Sequence, residues 1–111
     1  MAYRKDADFT KDEKTFAELA KALSHPARVS ILKILAERNT CICGEIVGLL
    51  PLAQSTVSRH LKELKAVGLI QGEVEGPKSC YCVNWDTVEA LQGLLNGLLK
   101  GMDKRNRKNC C

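Results

Sequence analysis

The sequence predicts a mainly α-helical domain with one small β-hairpin, in the order helix-helix-helix-helix-hairpin-helix. Three observations predict it. Apolar residues recur at helical spacing through most of the chain. Two short extended runs flank a Gly-Pro turn between residues 69 and 84. The length, 111 residues, allows one domain and little more. With 45% hydrophobic and 27% charged residues the chain can form a core. Aromatics are only 5%, so Leu, Ile and Val must fill that core. Large multidomain enzymes, solenoids and collagen-like chains are excluded. No run of about 20 apolar residues exists, so no membrane span is expected. Residues 1–6 lack the apolar segment of a secretory signal, and the expected location is the cytoplasm.

Residues 1–11 are polar and without periodicity, and read as a flexible arm. The folded domain is expected over 12–100, with 101–111 a basic, Cys-ended tail. From Asp12 onward, Phe16, Leu19, Ala20 and Leu23 take the spacing of an amphipathic helix. Ser24-His25-Pro26 interrupts it. Pro26 suits the first position of a new helix, with Ser24 or His25 available as its cap. That second helix, about 26–37, carries Ala27, Val29, Ile31, Leu32, Ile34 and Leu35, and is expected to be central and buried. Arg38-Asn39 ends it, and Thr40 can cap a short third helix reaching about Leu49. Leu50-Pro51-Leu52-Ala53 is a turn, because Pro51 cannot continue the helix.

A fourth helix, about 54–67, stops at Gly68. The hairpin runs follow around Gly76-Pro77. In the last helix, about 86–100, Val88, Leu91, Leu94, Leu95, Leu98, Leu99 and Met102 lie along one face. Gly93, Gly97 and Gly101 recur on its less apolar flank, each costing roughly 1 kcal/mol of helix propensity. Close packing is the account the sequence offers for them.

Charge alone is a poor guide to partners here. The net charge is +4 and the pI 8.8. Residues 100–111 hold five basic groups and one acidic group, leaving twelve of each sign in residues 1–99. A solvated tail supplies the whole excess.

Local patterning says more. On the fourth helix Val57, Leu61 and Leu64 share one face, and Gln54, Ser55, Ser58, Arg59, Lys62 and Lys65 share the other. Small polar groups in the first turn, Thr56 among them, let a helix end approach base edges. Arg59, His60 and Lys62 follow, and cations face the phosphates. The helix dipole favours phosphate at the same end. An ordinary solvated helix face has a similar composition. The short helix before it and the hairpin after it favour the first reading, because together they make a helix-turn-helix with a wing. Lys78, beside the hairpin turn, is placed to touch the flanking groove.

Leu23-Ser24-His25-Pro26-Ala27-Arg28 resembles the corresponding segment of the ArsR/SmtB family of winged-helix, metal-responsive repressors. So do Ser55-Thr56-Val57-Ser58-Arg59-His60-Leu61-Lys62-Glu63-Leu64 and Gly68-Leu69-Ile70. The resemblance spans about residues 16–99. It implies a homodimer through the first and last helices that binds operator double-stranded DNA and releases it when an inducer binds. No cofactor is required. The wing departs from the family in carrying Pro77 where a basic residue is common.

Six cysteines fall in three close pairs: Cys41 and Cys43, Cys80 and Cys82, Cys110 and Cys111. In a reducing compartment they are free for metal or redox chemistry. The family's arsenic-type sensors resemble the Cys41-Ile42-Cys43 segment, often with a third Cys where Ile46 stands here. On a helix, residues two apart point about 200° apart. One ion would then hold both sulfurs only if that turn unwinds, moving the adjacent helix and weakening DNA binding. A helix N-terminus would also favour the thiolate. The plainer alternative is that both cysteines are small half-buried fillers.

Cys110 and Cys111, among Lys and Arg, are placed to chelate a trivalent arsenical alone or to lend a third sulfur; an exposed tail with no role fits them as well. Cys80 and Cys82 share one strand face and are expected to pack under the wing. The family's zinc sensors use His and carboxylates on the last helix, which here has Asp86 and Glu89 but no His. The expected inducer is As(III), Sb(III) or an organoarsenical. Thiol redox sensing on the same fold is the alternative. A thiol enzyme would want Cys-x-x-Cys or a βαβ pattern, and neither is present.

Overall fold

In the computed structural model, which describes residues 8–38, 41–42, 49–73 and 79–103, the first helix starts at a capping box. Thr10 Oγ1 accepts from the Glu13 N–H at 3.0 Å, and Glu13 Oε1 accepts from the Thr10 N–H at 2.8 Å. Helix α1 (Lys11–Ala22) follows and buries Leu19 and Ala22. Ser24 and His25 divide the work at the next junction. Ser24 Oγ donates to the Lys21 carbonyl at 2.7 Å, closing α1, while His25 Nδ1 accepts from the Ala27 N–H at 3.0 Å, opening α2 (Pro26–Arg38). Ile31 and Leu35 of α2 are fully buried; Val29 is exposed.

Helix α3 (Gln54–Ala66) buries Val57, His60, Leu61 and Leu64. It ends as Gly68 allows, at φ +83°: the Gly68 N–H reaches the Lys65 carbonyl and the Leu69 N–H the Leu64 carbonyl. That paired closure turns the chain directly into β1 (Ile70–Glu73). β1 pairs antiparallel with β2 (Cys80–Val83), Ile70 opposite Val83 and Gly72 opposite Tyr81. Gly72 has φ +110°, and a Cβ there would collide with the Cys80 carbonyl oxygen. α4 (Trp85–Gly101) completes the chain and packs on α1. Among the described residues no helix is long and apolar enough to cross a membrane.

The core joins Leu19, Ile31, Leu35, Ile42, Val57, Leu61, Leu64, Leu69, Ile70, Tyr81 and Val83. Fully burying such aliphatic and aromatic side chains contributes roughly 1.5–3 kcal/mol each. α4 lends this core only half-buried Val88, Leu91 and Leu94.

The expected third helix needs correction at its start. Ile42 is extended and bridges Tyr81 on the side of β2 away from β1. The Ile42 N–H donates to the Tyr81 carbonyl at 2.8 Å and the Tyr81 N–H to the Ile42 carbonyl at 3.0 Å. Cys41 therefore precedes a strand pairing, and helical unwinding is not needed there. Most of that predicted helix, its Thr40 cap, the Gly76-Pro77 turn, residues 1–7 of the predicted arm and 104–111 of the predicted tail lie outside the described residues.

Candidate nucleic-acid interface and thiol pair

Helix α3 is held from beneath by one guanidinium. Arg28 of α2 donates from Nε to His60 Nδ1 at 3.1 Å and from Nη1 to the Ala22 carbonyl at 3.3 Å. The His25 ring lies over the His60 ring, centroids 4.5 Å apart. His60 is therefore not on the outer face with the DNA-facing candidates: it is 5% exposed and accepts a hydrogen bond from inside. Burial lowers its pKa, and the nearby His25, Arg28 and Arg59 charges lower it further. The neutral ring is the form Arg28 needs, since Nδ1 must accept.

With that face anchored, Gln54, Ser55, Arg59 and Lys62 are exposed, and Thr56 and Ser58 half-buried. Ser55, Arg59 and Lys62, at i, i+4 and i+7, form an outward stripe opposite Val57, Leu61 and Leu64. At the helix start Ala53 provides no side-chain cap, so first-turn N–H groups are left to other acceptors, and phosphate is one that suits them. Lys78 lies outside the described residues.

The thiols are arranged differently from the expectation. In β2, Tyr81 and Val83 point into the core, while Cys80 and Cys82 are half-buried on the other face. They do not pack beneath the wing, because that side is filled by their neighbours. Cys41 is exposed and Cys82 half-buried, and both are free thiols. Cys80 is disulfide-bonded, so it is not the free thiol a reducing compartment predicts.

The Cys41 pKa is raised by its hydrogen bond with Cys82, then by desolvation and the Cys82 charge. This is opposite to the lowering expected of a helix N-terminus. Of the other candidate ligands, Cys43, Cys110 and Cys111 lie outside the described residues. The sequence reading missed the Cys41–Cys82 juxtaposition and the role of Arg28. The first had a signal: two Cys-x-Cys segments share the period of a strand and can face each other across a ladder.

Comparison with known proteins agrees with this geometry. Residues 25–71 match the family described as bacterial regulatory protein, arsR family. The chain is similar to an HTH-type transcriptional regulator of Methanocaldococcus jannaschii, 37% identical over 83 residues, 74% of this chain and 92% of the relative. It is also similar to the arsenical resistance operon repressor of Bacillus subtilis, 33% identical over 107 residues, 94% of this chain and 99% of the relative. Among solved structures, HlyU from Vibrio cholerae superposes with a TM-score of 0.63 at 30% identity, covering 81% of this chain and 97% of that one.

Proposed function

Because the chain belongs to the ArsR family, and so is a DNA-binding transcriptional repressor rather than an enzyme, we propose that its inducer is trivalent arsenic or antimony. Inorganic ions and organoarsenicals both fall within that class. The stripe of Ser55, Arg59 and Lys62 reads the operator major groove, with Gln54, Thr56 and Ser58 at the helix end and Lys78 on the wing. In the reduced chain, inducer bound through cysteine thiolates drawn from Cys41, Cys43, Cys110 and Cys111 lowers that affinity. The observation that carries the inducer reading is the free, exposed Cys41 thiol ahead of the reading helix. The near full-length similarity to a repressor of an arsenical resistance operon supports it.

A second copy of the chain is the proposed partner. Along α4, Leu95, Leu98, Leu99 and Met102 are 40%, 48%, 53% and 67% exposed. Phe16 of α1 joins Leu94 and Leu98 around an open cleft of about 300 Å³. Contiguous apolar exposure of this kind marks an interaction surface. A Cβ added at Gly93, Gly97 or Gly101 would meet nothing within 4 Å among the described residues, so the close packing expected of them is proposed to come from the second copy.

Titrating reduced protein on its upstream DNA with arsenite, methylarsenite, zinc and cadmium, followed by fluorescence anisotropy, tests the reading. Release by an arsenical but not by zinc is the expected result. No release by any of them overturns the inducer assignment and leaves the DNA-binding assignment in place. The disulfide at Cys80 favours a second reading, thiol redox sensing. That predicts release by peroxide alone and reversal by a reductant.

A further inference from the structure

Two sulfurs are brought together by strand pairing rather than by the helix expected at Cys41. Ile42 and Tyr81 exchange both of their N–H···O bonds. They are therefore a hydrogen-bonded pair of an antiparallel ladder. The adjoining pair, Cys41 with Cys82, is then of the non-hydrogen-bonded kind, with Cα atoms about 4.5 Å apart and side chains at their closest. Alternation along β2 turns Cys82 away from the core, and Cys41 is exposed. The two thiols are hydrogen-bonded to each other. On the opposite flank the Gln71 amide Nε2 donates to the Cys82 sulfur at 3.9 Å.

We propose that Cys41 and Cys82 form a cross-strand dithiol site for a trivalent organoarsenical. The proposal rests on the arsenical reading above and names its ligands and its substrate class. An arsenic centre that keeps one As–C bond has two exchangeable positions, and the site offers two sulfurs. The step is a double exchange: R–As(OH)2 plus two thiols gives R–As(S–Cys)2 plus two waters. Two As–O bonds break and two As–S bonds form. Each thiol proton leaves with a hydroxide, and arsenic stays trivalent.

Each of the two thiols supplies one of those protons. Inorganic arsenite has three exchangeable positions and wants a third sulfur. Cys80, on the same strand face, has its sulfur in a disulfide. The bridge fastens the segment ahead of α3 to the wing strand.

The test uses the full chain, purified without thiol reductant so that the Cys80 disulfide is kept. Methylarsonous acid and arsenite are added separately, free thiols are alkylated, and the labelled cysteines are mapped by mass spectrometry. DNA release is followed in parallel. One equivalent of methylarsonous acid is expected to protect Cys41 and Cys82 together, with arsenite at least tenfold weaker. Cys82→Ser and Cys82→Ala, checked for folding by circular dichroism, should each raise the methylarsonous acid needed for release at least tenfold.

Release of either variant at the wild-type concentration, or protection that maps to Cys110 and Cys111, overturns the site while leaving the arsenical repressor intact. Equal affinity for arsenite overturns the organoarsenical preference. Cys41 and Cys82 already closed to alkylation before any addition overturns the dithiol. Protection of both without DNA release supports the site and sinks the repressor's inducer assignment instead. The wild-type mapping decides these outcomes even if both variants fail to fold.

Discussion

Arg28 carries two hydrogen bonds that belong to different elements, the end of α1 and the underside of α3. A lysine keeps the charge but not the fork that spans both acceptors. Arg28→Lys should therefore cost about 1 to 3 kcal/mol of stability, read by chemical denaturation. Its partner sets a pH dependence. The His60 pKa is lowered in the folded chain, so the unfolded chain binds more protons near the ordinary value of about 6.5. Stability from this group is complete above that pH and is lost as pH falls through it toward the folded value. Protonation also puts a hydrogen on the nitrogen that must accept from Arg28. Melting temperature should fall between pH 7.5 and 5.5, and His60→Gln should flatten that fall; an equal slope in the variant would remove His60 as the cause. On the outer face, Arg59→Ala should weaken operator binding by roughly 1–3 kcal/mol, about ten- to a hundredfold, with the melting temperature unchanged. The sequence separated these two neighbours poorly. Arg59 and His60 are adjacent polar residues on a polar-rich helix; spacing from Val57 and Leu64 puts His60 beside the apolar seam, and the reach of Arg28 to His60 supplies the partner that lets it be buried.

Elements were legible where local signals suffice. The Gly68 stop, the Pro26 start and the Val57, Leu61 and Leu64 seam are each written within one turn of helix, and α3 follows them to within a residue. Thr10 with Glu13 carried an equally local signal, a capping box before an apolar run, and it moves the start of α1 one residue ahead of Asp12. Thr10→Ala should lower stability by about 1 kcal/mol, measured by urea denaturation, with operator affinity per folded molecule unchanged. What was not legible is the extended state of Cys41 and Ile42. Thr40 followed by an apolar alternation suits a capped helix as well as a strand, and the choice is made by Tyr81, 39 positions on. The wing is the element least tolerant of change. Gly72 holds a positive φ against the Cys80 carbonyl, so Gly72→Ala should cost about 1–3 kcal/mol and loosen the wing, seen as faster amide exchange at Cys82, which pairs with Gln71 of β1.

At the scale of the whole molecule, α4 is a helix without a buried residue, joined to the rest through α1 and a few half-buried leucines. The second copy proposed above would cover that exposed face, and Leu98→Asp should then convert dimer to monomer in sedimentation equilibrium while leaving the core folded. A wild-type chain that sediments as a monomer at micromolar concentration would remove the dimer. The exposed face of this helix was readable from its leucine spacing; that it contributes so little to its own chain's core was not, because periodicity gives a face and not what covers it.

The Ile42–Tyr81 pairing has one more consequence. Its two hydrogen bonds clasp a ring of backbone, and the ring contains all of α3 and β1. Ile42 and Tyr81 belong to the same core as the apolar face of α3, so the pairing and the helix are held by one set of buried side chains, and α3 sits in a loop closed at its own core. A bond that tightened this clasp would restrain α3 without altering any residue of its outer face. Under the proposed function, responsiveness and operator choice would then lie in separate stretches of chain, and either could change without rewriting the other.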